Sequence, residues 1–182
     1  MSKNLFDVIL RACLSLSALL PFAALAGDAV PATRAVQVAG DRLLVLSYHD
    51  IRDDVARKGD PDGYAVSTQN FAAHLDWLSG HGYQPVSLAD VMAASRGERA
   101  LPDKAVLLTF DDGLRSVYTH AFPLLRAYGY PALVAVVTDW VELPAGRQVD
   151  YGPRMFTHDD FLSWAQLRGV QATRLVEVDS HS

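Results

Sequence analysis

Two adjacent carboxylates, Asp111 and Asp112, close an apolar run in the stretch "VLLTFDDGLRS" from Val106 to Ser116. Side by side they repel, so the pair needs a cation, a shared proton or ample water. Two other short clusters carry groups able to work with them: "SYHD" at 47–50 presents His49 and Asp50, and "DSHS" at 179–182 presents His181. A divalent cation held by an aspartate oxygen and histidine nitrogens would relieve the repulsion and lower the pKa of a bound water. The second aspartate could then take that water's proton. Each cluster alone also has an ordinary structural reading. Asp-Asp-Gly after a strand is commonly a turn whose aspartate caps the next helix, and a lone histidine is commonly a hydrogen-bonded structural residue. Chemistry therefore requires a fold that brings the three clusters together.

The pattern of elements supplies one. Leu43 to Ser47 is a continuous apolar run of the kind found in strands buried on both faces. From Ser67 the spacing turns helical, with Phe71, Leu75 and Leu78 at i, i+4 and i+7 and Gly80 and Gly82 able to end the helix. A short strand is predicted near 83–86, and Ser87 with Asp90 forms a capping box for a helix through about Ser95. Ala105 to Phe110 is the second strongly apolar strand. Leu114 to Ala127 reads as a helix that Pro123 kinks or splits, and Gly129 ends it. Ala132 to Val137 is the third apolar strand, and 138–156 reads as a long irregular loop. Thr157 with Asp160 marks a capped helix carrying Phe161, Leu162 and Trp164, and "RLVEVDSHS" reads as a strand that delivers His181.

Strand and helix alternate throughout, which predicts a parallel sheet with helices outside, as a barrel or an open doubly wound sheet. In either form, residues at the C-terminal ends of the strands gather into one site. All three polar clusters stand at such ends. Of the three tryptophans, Trp77 and Trp164 are expected in the core of amphipathic helices, while Trp140, in the long loop, is the candidate substrate contact. His74, His81, His120 and His158 receive no role.

The chain has 182 residues, 50% apolar and 20% charged, which is the profile of one globular domain. A formal net charge of −5 with no basic run argues against a nucleic-acid partner. Residues 1–26 read as a secretory signal peptide: Lys3 and Arg11 precede the apolar run Ala12 to Leu20, Pro21 breaks it, and Ala24-Leu25-Ala26 offers a cleavage site. The competing reading is a buried N-terminal helix. A cleaved product would lie in the periplasm or cell envelope. The single Cys13 falls within this segment, so no disulfide is expected in the mature chain. Lipid anchoring through Cys13 is disfavoured, because Arg11 stands just before it and the apolar run continues past it. Residues 27–41 are small and turn-rich and suit an exposed linker, leaving 42–182 as the folded domain.

"TFDDG" after an apolar strand, with "SH" closing a later one, resembles the polysaccharide deacetylase family, which removes acetyl groups from sugar polymers on an incomplete (β/α) barrel. "YHDI", the signal segment and "FTHDDFLSWAQLRGVQATRLVEVDSHS" are similar, more narrowly, to the poly-β-1,6-N-acetyl-D-glucosamine N-deacetylases of bacterial biofilm export. The resemblance implies that Asp111 is the general base and Asp112 a metal ligand. It also implies that His181 is the first histidine of the family's paired metal motif and that His49 is the general acid. The implied reaction is attack of metal-bound water on an acetamide, with His49 protonating the departing amine. Zinc is the metal named first, with cobalt, nickel or iron also compatible with the ligand types.

The chain departs from the family pattern at its end. The second metal histidine is expected four or five positions after His181, beyond Ser182, as are the later strands of the barrel. About five strands are counted, where a complete barrel of this kind usually needs well over 200 residues. The expectation is an N-terminal part of a longer deacetylase with a further C-terminal domain, inactive or nearly so as it stands, its last strand an apolar edge. Two readings from other classes remain. One is a non-catalytic glycan-binding remnant; the other is a phospho-acceptor domain, which also places paired aspartates at strand ends but works in the cytoplasm.

Overall fold

A computed structural model describes residues 34–38 and 41–181. The segment read as a secretory signal, with Cys13, lies outside these residues. Among the described residues no helix is long and apolar enough to cross a membrane.

The chain opens with an antiparallel pair, β1 (Arg34–Val38) and β2 (Asp41–Tyr48), in register from Arg34 opposite Val45 to Val38 opposite Asp41. Of the segment expected as a linker at 27–41, residues 34–38 are therefore strand, while 27–33, 39 and 40 lie outside the described residues. The stretch "RAVQV" alternates valine with small or polar residues, a strand pattern, and it pairs with the strand that directly follows. Next come β3 (Asp50–Arg52), the single-turn α1 (Val55–Lys58) and β4 (Ala65–Ser67), with β3 and β4 paired parallel. Helix α2 (Thr68–Gly80) is capped by the Ser67 hydroxyl, which accepts from the Asn70 N–H, and buries Phe71, Leu75 and Leu78. Each such side chain contributes about 1.5–3 kcal/mol on leaving water. Strand β5 (Gln84–Pro85) leads to α3 (Leu88–Ser95), which begins with the predicted Ser87–Asp90 capping box.

Strand β6 (Ala105–Phe110) forms the centre of the sheet. The helix after it is split as Pro123 requires. A π-helical turn (Val117–Ala121) precedes α4 (Phe122–Tyr128), so that proline sits in the first turn, where its missing N–H costs nothing. Strand β7 (Ala132–Val136) and the short α5 (Thr138–Val141) follow.

The segment expected to be irregular contains α5 and a hairpin, β8 (Gln148–Asp150) with β9 (Met155–Thr157). The predicted helix start at Thr157 is also corrected. Its capping box serves only a 3-10 turn, His158–Asp160, because Phe161 leaves helical space to bridge Leu114. A second capping box, Ser163 with Gln166, starts α6 (Trp164–Ala172), and β10 (Val176–Ser180) follows.

The main sheet runs β1-β2-β6-β7-β10 with β5 added beside β6, and every pairing except β1–β2 is parallel. The expected parallel α/β sheet is present, and the described strands do not close into a barrel. Strand parity sorts β6 between two cores. Val106, Leu108 and Phe110 face α2 and α4, while Ala105 and Leu107 face a second cluster with Leu43, Val91 and Leu101. Trp77 and Trp164, expected in the core, are instead 51% and 38% exposed. Trp77 lies off the Phe71–Leu75–Leu78 stripe and stacks on His81, and the Trp164 indole donates to Glu142.

Candidate active site

Register and parity place the sequence-predicted residues. Ser47 pairs with Thr109, Thr109 with Leu133, and Leu133 with Glu177, one row across the sheet. Counting two residues on from Ser47 and Thr109 reaches His49 and Asp111 on the same face; counting four on from Glu177 reaches His181. The ladder continues past the strand ends, with the Asp111 N–H donating to the Tyr48 carbonyl and the His181 N–H to the Val136 carbonyl, each at 2.8 Å. Three separated segments thus deliver their side chains to one edge.

Asp112 would point the other way on a continued strand. Instead Asp112 and Gly113 both have φ +70°, in left-handed conformation, and the chain doubles back. Asp tolerates this region better than most residues, and Gly113 must adopt it under a tight ceiling. A Cβ on Gly113 would lie 2.9 Å from Val136 Cγ1. Asp112 is thereby only 7% exposed.

His49 Nε2 lies 3.9 Å from Asp111 Oδ2 and 4.0 Å from Asp112 Oδ2, and His181 Nε2 lies 3.8 Å from Asp112 Oδ1. The structure therefore brings together His49, Asp111, Asp112 and His181. Each carboxylate also has its own hydroxyl donor. Ser47 Oγ donates to Asp111 Oδ2 at 2.8 Å, and the Tyr151 hydroxyl donates to Asp112 Oδ2. Burial, and then the Asp112 carboxylate, push the Tyr151 phenol far above its ordinary pKa, so it stays a donor.

Trp140, predicted as a substrate contact, is half-buried on α5 and packs at 5.3 Å from Phe161 and 6.0 Å from Tyr151. The aromatic ring beside His49 is Tyr64, 49% exposed with its centroid 4.9 Å away. Sequence reasoning missed Ser47 as a partner, Tyr64, Tyr151 and a charge network behind them. Arg154, in the hairpin turn, donates to Asp50 at 2.7 Å and to Asp62 at 2.6 Å, and Arg52 joins Asp50 to Asp60. Burial disfavours the Arg154 charge, but the hydrogen bonds to Asp50 and Asp62 more than offset this and raise its pKa. Asp62 in turn accepts from the Tyr64 N–H, which ties the loop beside His49 to the hairpin beside Asp112. The sequence signal for the network was the acidic density of "HDIRDD" and "GDPDG" around one late arginine. A separate cavity of about 460 Å³ is lined by Arg147, Gln148, Thr157 and His158 and contains none of these groups.

Among the described residues no three His, Cys, Asp or Glu side chains form a group able to hold a metal. Asp112 and His181 do fit part of one. An oxygen and a nitrogen on a tetrahedral zinc are separated by about 3.4 Å, given bond lengths of about 2.1 Å. The observed 3.8 Å between Oδ1 and Nε2 is close to that. One carboxylate oxygen and one imidazole nitrogen are two of the three protein ligands that a catalytic zinc ordinarily takes.

Residues 98–182, which contribute Asp111, Asp112 and His181, match the family model for polysaccharide deacetylase. The chain belongs to that family, whose members are hydrolases of carbon–nitrogen bonds and are generally metal-dependent. Among its relatives, the poly-β-1,6-N-acetyl-D-glucosamine N-deacetylase of Escherichia coli (strain K12) is 42% identical over 139 residues, covering 76% of this chain. The chain spans 20% of the length of that curated relative. Among solved structures, a de-N-acetylase from Aggregatibacter actinomycetemcomitans matches with a TM-score of 0.69 and 36% identity, covering 78% of this chain and 55% of that one. The BpsB deacetylase domain from Bordetella bronchiseptica matches with a TM-score of 0.62 and 43% identity, covering 76% and 53%. The fold is that of the polysaccharide deacetylases, an α/β barrel left open in the described residues.

Proposed function

We propose that this chain carries the catalytic edge of a metal-dependent deacetylase that hydrolyses N-acetyl groups on a poly-β-1,6-N-acetylglucosamine-type polysaccharide. The observation that carries this reading is the convergence of His49, Asp111, Asp112 and His181 from three strand ends, with both histidines within 4.0 Å of a carboxylate oxygen. The substrate class comes from the relatives whose names state it.

Asp112 and His181 are the residues that would hold a divalent cation, zinc first by ligand type. When bound, the cation supplies the Lewis acidity that polarises a carbonyl and acidifies water. Asp111, oriented by Ser47, accepts the proton of the water that attacks the acetamide carbon. His49 donates a proton to the nitrogen as the C–N bond breaks, releasing acetate and a free amine. Its place beside both aspartates keeps it within reach of the same reacting carbon. The remaining features of this reading are a signal peptide at 1–26, delivery to the periplasm or cell envelope, and a further domain after this one. The greater length of the matched relatives supports that last feature.

The 182-residue chain, with two of three metal ligands, is itself expected to be inactive or nearly so. The test is therefore amine release from an N-acetylglucosamine oligomer, with added zinc, by this domain within the longer protein proposed above. Asp111→Asn and His49→Ala are each expected to lower the rate by about 10²–10⁴-fold. Retained oligomer binding, with no amine release from the unsubstituted protein and no effect of Asp111→Asn on that binding, overturns the reading in favour of a glycan-binding module.

A further inference from the structure

Tyr151 stands outside every motif that marks the site, in the turn of the β8–β9 hairpin. Its hydroxyl donates to Asp112 Oδ2, while Asp112 Oδ1 faces His181 Nε2 at 3.8 Å. The two oxygens of one carboxylate therefore have different work: one is held by a phenol, and the other is presented toward the imidazole. The hairpin is in turn held from behind. The Tyr151 N–H donates to the Arg154 carbonyl at 2.9 Å, and the Arg154 guanidinium packs over Phe156 at 4.7 Å and Tyr151 at 5.8 Å. Its hydrogen bonds reach Asp50, next to His49, and Asp62. Trp140 stands edge-on to the Tyr151 ring at 6.0 Å.

We infer that Tyr151 is a positioning residue: its hydroxyl fixes the rotation of Asp112 so that Oδ1 alone is offered to a divalent cation, and Arg154 locks the hairpin that carries it. This rests on the reading of Asp112 as a metal ligand. A carboxylate on a free χ2 torsion samples many orientations, and one oxygen pinned by a donor removes most of them. Groups that hydrogen-bond to metal ligands commonly set affinity by about 10–100-fold. Tyr151 suits the task because its ring is itself fixed on three sides, by Arg154, Phe156 and Trp140.

The experiment measures zinc affinity of the full chain by competition with a chromogenic chelator, for the unsubstituted protein and for Asp112→Ala, Tyr151→Phe, Arg154→Lys and Val91→Ala. Asp112→Ala is expected to abolish saturable binding. Tyr151→Phe keeps the ring contacts and loses only the hydroxyl, and affinity is expected to fall about 10–100-fold. Val91→Ala, a cavity in the second core cluster away from the hairpin, should lower the melting temperature and leave affinity within about twofold, so a merely structural role for Tyr151 would make Tyr151→Phe behave like it. Affinity within twofold of the unsubstituted protein in Tyr151→Phe, with Asp112→Ala inactive in binding, overturns the inference alone. Unchanged affinity in Asp112→Ala, or no saturable binding by the unsubstituted protein, removes the reading beneath it and the inference too. Arg154→Lys should weaken zinc several-fold, and decides the matter if Tyr151→Phe does not fold.

Discussion

Replacing Gly113 with alanine tests the turn on which the site depends. The residue has φ +70°, and a Cβ there would lie 2.9 Å from Val136 Cγ1 and 3.3 Å from its Cβ. Left-handed backbone costs a non-glycine residue about 1–2 kcal/mol. Forcing a methyl into a packed neighbour costs about 1–3 kcal/mol more. Together these give about 2–5 kcal/mol, or a fall in melting temperature of roughly 4–20 °C for a chain of this size. Val136 cannot withdraw freely, because it is 3% exposed and its carbonyl accepts from the His181 N–H. The two costs separate in a double-mutant cycle. Val136→Ala deletes Cγ1, so in the Gly113→Ala background it should recover about 1–2 kcal/mol relative to additivity, while the backbone cost remains. Urea unfolding of the four proteins measures this. A single-variant effect below about 0.5 kcal/mol, or additivity within about 0.5 kcal/mol, refutes the close approach.

Arg154→Met removes the ion-pair partner of Asp62, which keeps its Tyr64 N–H, and one of two arginine partners of Asp50, whose residue is 4% exposed, and should destabilise by about 3–5 kcal/mol in urea unfolding. An effect under about 1 kcal/mol would show that solvent reaches those carboxylates. Ser47→Ala deletes the 2.8 Å donor to Asp111 and should lower kcat/KM about three- to tenfold with little change in stability, read by amine release. No change would mean that the Ser47 hydrogen bond to Asp111 does not serve the reaction. His74 is pushed below its ordinary pKa by burial, beside the Tyr48 phenol that burial raises to about 12. The folded protein resists protonating His74, so stability is lost as pH falls from about 6.5 through the lower folded value and is flat beneath it. His74→Gln should flatten the pH dependence of the urea midpoint over that window, and an unchanged slope counts against the assignment.

The strand ends were legible because Leu43 to Ser47 and Ala105 to Phe110 are apolar runs of strand length that end in polar clusters, and once they are strands, period two fixes which side chains share a face. The hairpin was not legible. Its strands have three residues each, too few for a period to register, and its contacts are with residues about 40 and 90 positions earlier in the sequence. The helix start at Thr157 misled for a different reason. Two capping boxes stand six residues apart, and only packing of Phe161 against Leu114 decides that the first ends after one turn. Trp77 failed because helical amphipathicity places a stripe, and one residue beside the stripe faces solvent.

The adjacency of Asp111 and Asp112 is resolved by backbone before any cation enters. Asp111 obeys strand parity and lies with Ser47 and His49; Asp112 escapes parity through the left-handed turn and meets Tyr151 and His181. Each carboxylate thus receives its own hydroxyl, which offsets part of the repulsion, and each faces a different imidazole environment. Among the described residues, His49 is the one histidine that addresses both, at 3.9 and 4.0 Å. On the roles proposed for them, a proton acceptor at Asp111 and a metal ligand at Asp112, the two consecutive residues must be oriented independently. One continuous strand cannot do that on a single face, because successive side chains alternate. The glycine after the pair follows from the same requirement, since the turn that frees Asp112 presses the next residue against β7, where a side chain does not fit.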